Sequence, residues 1–165
     1  KSVMHASFSN EEFDDLDPGY MSQNNENWYS DAGLDAYNQN DPDKAKQLLE
    51  EAGYNGEVVR ILTSRDYDRQ YNASVVMKEQ LDQLGMNVEL EVYDWPTLLE
   101  RREDPANWDI LTASGPYFAT PTKHVLLNPE WAGWTSHEYI TESLQSLNGA
   151  TSEEEAKAIW LQLKK

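Results

Sequence analysis

The chain has 165 residues, with 13 basic against 30 acidic side chains, a formal charge of −17 and no cysteine. That length fits one ordinary domain. A field this negative repels nucleic-acid phosphates and anionic lipid headgroups, so neither is expected as a partner; the lack of cysteine excludes disulfides, thiolate metal sites and cysteine nucleophiles. Apolar residues make up 39%, enough for one core, and no stretch approaches the roughly 18 consecutive apolar residues of a membrane helix.

Residues 1–40 show little periodicity and read as an irregular acidic and polar lead-in, with at most one short helix, packed on the domain that follows. Glu11, Glu12, Asp14, Asp15 and Asp17 run into Pro18-Gly19 without the alternating spacing or distal Glu of a calcium loop. From Asp41 the pattern sharpens. Asp41 is a good N-cap and Pro42 suits the first helical position, where its missing N–H is not needed. Ala45, Leu48, Leu49 and Ala52 fall on one stripe, expected to be buried, and Gly53 stands where a left-handed C-cap residue belongs.

Glu57 to Thr63 is a β-branched run and predicts a strand. Asp68 to Leu84 predicts a helix with Ala73, Met77, Leu81 and Leu84 on one face and Gly85 as its stop. Val88, Leu90 and Val92 alternate with Glu89, Glu91 and Tyr93, the pattern of a half-buried strand. Asp94 caps a short helix through Leu98 and Leu99, and Trp108 to Ala113 reads as a third, buried strand. Ser136 is placed to cap a helix lined by Ile140, Leu144 and Leu147, ended by Asn148-Gly149. Thr151 or Ser152 with Glu154 or Glu155 makes a capping box for a last helix, whose stripe of Ala156, Ile159, Trp160 and Leu163 is still running where the sequence stops. The chain therefore reads as a piece of a longer one. Strand, helix, strand, helix, strand predicts a largely parallel central sheet flanked by helices, an α/β fold in which residues 41–165 form the main body.

Catalytic patterns do not emerge. His5, His124 and His137 are scattered without metal-ligand spacing, no nucleophile elbow or phosphate loop is present, and no carboxylate pair stands out in so acidic a chain. No metal and no cofactor are expected, and the chain reads as not an enzyme. Aromatic side chains in loops stand out instead. In open α/β sheets ligands collect beyond the carboxyl ends of the strands. Ser114-Gly115-Pro116 marks such an end, opening into Tyr117 and Phe118, and Trp131 and Trp134 follow in the same connection. Ser114, Gly115, Tyr117, Phe118, Trp131 and Trp134 are the candidate ligand-binding residues; Trp131 and Trp134 serve equally well as core that covers the sheet.

Tyr37 with the run Asn40-Asp41-Pro42-Asp43-Lys44-Ala45-Lys46-Gln47-Leu48-Leu49-Glu50-Glu51-Ala52-Gly53-Tyr54 resembles a segment of the extracellular solute-binding proteins of family 5. The likeness continues through Gln80 to Leu90, Tyr93 to Arg101, Trp108-Asp109-Ile110, Trp131 to Trp134 and Glu153 to Leu163. The resemblance implies one lobe, of the type II periplasmic-binding-protein kind, of a two-lobe receptor that captures peptides or similar solutes outside the membrane. Its partners would be the solute, the permease subunits of an ABC importer and the other lobe of the same chain. Its place would be the periplasm or the cell surface, where the parent protein is held as a lipoprotein. One departure matters. The family's peptide receptors anchor the ligand's α-amino group on an aspartate in the loop after the third strand, whereas no carboxylate lies between Ile110 and Pro129 here. A small α/β hydrolase or transferase, or a structural interaction domain, stands as the alternative.

Overall fold

The computed structural model describes residues 2–8, 21–31, 37, 39–114, 118–124, 127–134 and 136–163. The chain divides into two compact units, one of Lys1–Leu16 with Asn40–Gly115, the other of Asp17–Gln39 with Pro116–Lys165.

The first unit contains helices α1 (Ser2–Phe8), α2 (Pro42–Glu51), α3 (Asp68–Gln83) and α4 (Trp95–Arg101), and strands β1 (Val58–Ser64), β2 (Asn87–Tyr93) and β3 (Ile110–Leu111). The sheet order is β2-β1-β3, and both pairings are parallel. Ile61 stands opposite Leu90 on one side and Ile110 on the other, with Leu62 opposite Glu91 and Leu111. This is the arrangement that the strand-helix-strand alternation predicts. Ile61 and Leu62 are fully buried, as is Leu98 of α4, so the apolar centre of this unit lies around the middle strand. The short helix α1 packs along α3, with the Gln80 amide donating to Ser2 Oγ at 2.6 Å and the Arg69 guanidinium 5.6 Å from the Phe8 ring centre.

Local signals place the helix ends. Asp41 accepts from the Lys44 N–H at 3.0 Å, and Asp94 accepts from the Thr97 N–H at 3.0 Å. Helices α2 and α3 end in the same way, at Gly53 (φ +73°) and Gly85 (φ +92°), each in the left-handed region. There the N–H of Tyr54 returns to Leu49 O and that of Met86 to Leu81 O, which occupies otherwise unpaired carbonyls.

Three expectations change. The α2 stripe is not buried: Leu48 is 54% exposed, Ala45 and Leu49 are half-covered, and no residue of the helix is fully enclosed. Periodicity identifies the apolar face of a helix but not what covers it. The third strand, expected over Trp108–Ala113, has a ladder of Ile110–Leu111 only, extended by the Asp109 N–H to Arg60 O and the Thr112 N–H to Leu62 O. Helix α5 (Glu138–Gly149) is capped by His137, whose Nδ1 accepts from the Tyr139 N–H at 3.2 Å, and not by Ser136.

The second unit is built on α5 and α6 (Glu153–Leu163). Met21, Leu127, Leu147 and Trp160 form its buried core, with Trp28, Ile140, Leu144, Ala156, Ile159 and Leu163 packed against it. Residues of the polar lead-in thus contribute to this core, and the Trp160 indole N–H donates to Trp28 O at 2.8 Å. The turn into α6 is a capping box, with Glu155 N–H on Ser152 Oγ at 3.1 Å and the Glu155 carboxylate accepting from Thr151 N–H at 2.9 Å.

Candidate functional site

Strand β1 begins apolar and ends in Thr63 and Ser64, both fully buried. Two more buried polar side chains, Gln70 and Ser74, come from the first turns of α3, which starts four residues after the strand ends. Thr112 and Ser114 approach from the far end of β3. The result is a polar seam at the carboxyl end of the sheet. Thr112 Oγ1 lies 2.9 Å from Thr63 Oγ1 and 2.9 Å from Ser74 Oγ. The Ser74 hydroxyl donates to Gln70 O at 2.8 Å, and the Gln70 amide Nε2 donates to Ser114 Oγ at 3.2 Å. Buried hydroxyls and amides of this kind need partners, because each has given up its water.

Around the seam stand larger groups. The backbone N–H of Asp66 donates to Ser64 Oγ at 3.2 Å, and the Asp66 carboxylate accepts from the Trp95 N–H at 2.7 Å, which joins the end of β1 to the start of α4. The Tyr67 and Trp95 rings meet edge to face at 4.9 Å, with Tyr67 44% exposed. Arg65 is exposed; its guanidinium donates to Tyr71 Oη at 3.1 Å and lies 4.9 Å from that ring's centre. Among the described residues no carboxylate pairs with Arg65. At the end of β2 the Arg101 guanidinium sits 4.6 Å over the Tyr93 ring. The Tyr93 phenol donates to Glu91 at 2.6 Å, a bond that holds the phenol's proton and raises its pKa.

Of the candidates read from sequence, Ser114 belongs to this seam. Phe118, Trp131 and Trp134 belong to the second unit and are half-buried there. The Phe118 ring lies 5.0 Å from that of His124, tilted by 44°, and Trp131 and Trp134 sit in one turn closed by the Trp134 N–H to Trp131 O at 2.8 Å. Gly115 and Tyr117 lie outside the described residues. The second unit also holds an open cavity of about 480 Å³ lined by Lys123, His124, Leu127, Asn128, Leu144 and Gln145 among others. Sequence reasoning missed Arg65, Tyr67, Gln70, Ser74 and Trp95. The signal available was the ending of an apolar strand in two hydroxyl residues, followed by Arg65-Asp66-Tyr67, at the same end of the sheet as Ser114.

In open α/β sheets ligands collect at this end of the strands. The family model for bacterial extracellular solute-binding proteins, family 5 (Middle), matches residues 13–132. The chain belongs to this family. In sequence, this family 5 chain is 41% identical over 91 residues to the Sinorhizobium fredii protein named "Probable peptide ABC transporter periplasmic-binding protein y4tO", a match over 52% of the chain and 16% of that protein. In fold it is similar to AppA from Clostridium difficile, with a TM-score of 0.84 at 16% identity over 98% of the chain and 34% of AppA. It is also similar to DppA from Helicobacter pylori, solved in complex with peptide STSA, with a TM-score of 0.63 at 24% identity over 78% of the chain and 28% of DppA. The chain thus spans about a third of the length of these structures or less. It has the periplasmic-binding-protein-like architecture that the resemblance implies.

Proposed function

We propose that this chain is one ligand-binding lobe of an extracytoplasmic receptor that captures a peptide or peptide-like solute and delivers it to the permease of an ABC importer, without covalent chemistry. Membership of family 5 supports the class. The observation that supports the site is the gathering of Arg65, Tyr67, Gln70 and Ser114 at the carboxyl ends of a parallel sheet. Arg65 offers a planar cation that pairs with no carboxylate among the described residues of a chain of charge −17, suited to a carboxylate of the solute. Tyr67 and Trp95 offer flat apolar surface beside it; Gly115, Tyr117, Phe118, Trp131 and Trp134 stay candidates from sequence alone. With no carboxylate between Ile110 and Pro129 to hold an ammonium, recognition relies on stacking and neutral hydrogen bonds at that loop.

The parent protein acts outside the cytoplasm, held at the membrane by a lipid anchor, and a further lobe of the same chain covers the solute. Native mass spectrometry of the full-length receptor, mixed with an equimolar pool of di- to pentapeptides, tests the reading. Retention of peptides from the pool is the expected result; a receptor that retains none of them refutes it.

A further inference from the structure

We infer that Gln70 is a specificity-determining residue, its side-chain amide reading a neutral N–H or O–H donor of the bound solute, in the first instance a peptide main-chain N–H. The inference rests on the proposed function and deepens it. Gln70 is 6% exposed. Its Nε2 is engaged by Ser114 Oγ, but its Oε1 is buried and has no hydrogen-bond partner among the described residues. A buried carbonyl oxygen without a donor carries an uncompensated desolvation penalty, and such an atom in a native fold calls for an explanation. Turning the amide over does not remove the difficulty. The Ser114 hydroxyl can donate as readily as accept, so either orientation pairs one amide atom and leaves the other alone.

The neighbours cannot supply the missing partner. The Ser74 hydroxyl donates to Gln70 O, and Thr112 Oγ1 already lies 2.9 Å from both Ser74 Oγ and Thr63 Oγ1. Asp66, the carboxylate beside the seam, accepts from the Trp95 N–H. The partner of the amide is a hydroxyl, and among the described residues no ion pair involves Gln70, so the unpaired Oε1 is matched to a neutral donor. Ser114 is exposed, so the partner of the amide stands at the surface of this unit, and the inference has that side chain turn aside to admit the solute atom. A peptide group offers an N–H and a C=O together, which suits an amide in either orientation. A sugar hydroxyl shares the donor chemistry.

Gln70→Met tests this in the full-length receptor, because the thioether keeps the length of the side chain and deletes both amide atoms. Two readouts are taken: melting without solute, and affinity for the tightest-bound member of the di- to pentapeptide pool and for neutral mannose oligosaccharides. The expected result is an unliganded melting temperature unchanged or higher, since an unpaired buried group is removed, together with an affinity lower by about tenfold or more. Peptide loss assigns the donor to a main-chain N–H; oligosaccharide loss assigns it to a hydroxyl, upholds the role of Gln70 and overturns the peptide reading of the receptor. Unchanged affinity for whichever solute the wild type binds overturns the inference and leaves the receptor function standing. A lower unliganded melting temperature shows that the amide serves the fold and also overturns it. A wild-type receptor that binds neither solute overturns both readings.

Discussion

Thr63 on β1 and Thr112 beyond β3 bring their hydroxyl oxygens within 2.9 Å of each other, with Thr63 fully buried. Thr112 also reaches Ser74 of α3, so a single hydroxyl ties the middle strand, the edge strand and the covering helix at the end of the sheet that faces the proposed solute. Thr112→Val keeps the shape and removes the hydroxyl, leaving two buried hydroxyls short of a partner. The chain should lose about 1–3 kcal/mol in chemical denaturation, and Thr112→Ser less than half of that. Equal stability of Thr112→Val and wild type would show that the seam contributes nothing to the fold.

At the opposite end of the sheet Asp109 accepts from the Arg60 backbone N–H at 2.8 Å and from the Arg60 guanidinium at 3.1 Å, and the guanidinium also donates to Ala106 O. These bonds hold the Asp109 carboxyl below the usual carboxylate range. A carboxyl whose folded pKa is depressed contributes stability above its unfolded pKa and loses it as pH falls through the folded value. Wild type should therefore lose more stability than Asp109→Asn between neutral pH and the acid limb, so that the gap between them narrows as the pH drops. Parallel pH profiles for the two proteins would contradict this. Both side chains are about a third or more exposed, so the difference will be modest and will shrink in high salt.

Trp160 is 1% exposed and anchors the second unit. Trp160→Phe keeps a ring in the core and strands the Trp28 carbonyl, a loss of about 1–2 kcal/mol. Trp160→Ala also opens a large cavity and should cost about 3–5 kcal/mol. Near-UV circular dichroism and denaturation report both. An alanine variant no weaker than the phenylalanine variant would mean that residues 21–31 do not close over α6 as described.

The parts of the fold that depend on neighbours in sequence were legible in the sequence, and those that depend on neighbours in space were not. Asp41, Gly53, Asp94 and Gly85 mark helix ends through local backbone chemistry, and the structure places the ends there. The exposure of Leu48 and the reach of Met21 into the core of α5 and α6 depend on what covers each surface, which periodicity does not encode. His137 displaced Ser136 as a cap because an imidazole nitrogen can accept a backbone N–H as a hydroxyl does. In the site, Ser114 was visible as a strand end. Gln70 was hidden, since its relation to Ser114, 44 residues away, exists only once β1 and β3 are paired.

Arg65 carries a separate expectation for specificity. In the full-length receptor Arg65→Gln should weaken a retained peptide with a free carboxylate by about tenfold, the worth of one charge-assisted hydrogen bond, and spare its C-terminally amidated form. Calorimetry with the two peptides measures the difference. An equal loss for both forms would assign Arg65 to positioning Tyr71, not to holding a carboxylate.

The central claim is that the solute sits at the carboxyl ends of this sheet. A crystal structure of the full-length receptor, grown with the peptide pool, tests it most directly. Peptide density within hydrogen-bond distance of Arg65, Gln70 or Ser114 and stacked against Tyr67 or Trp95 is the predicted result. Density that touches none of the residues 63–71, 95 or 112–114 would contradict the account.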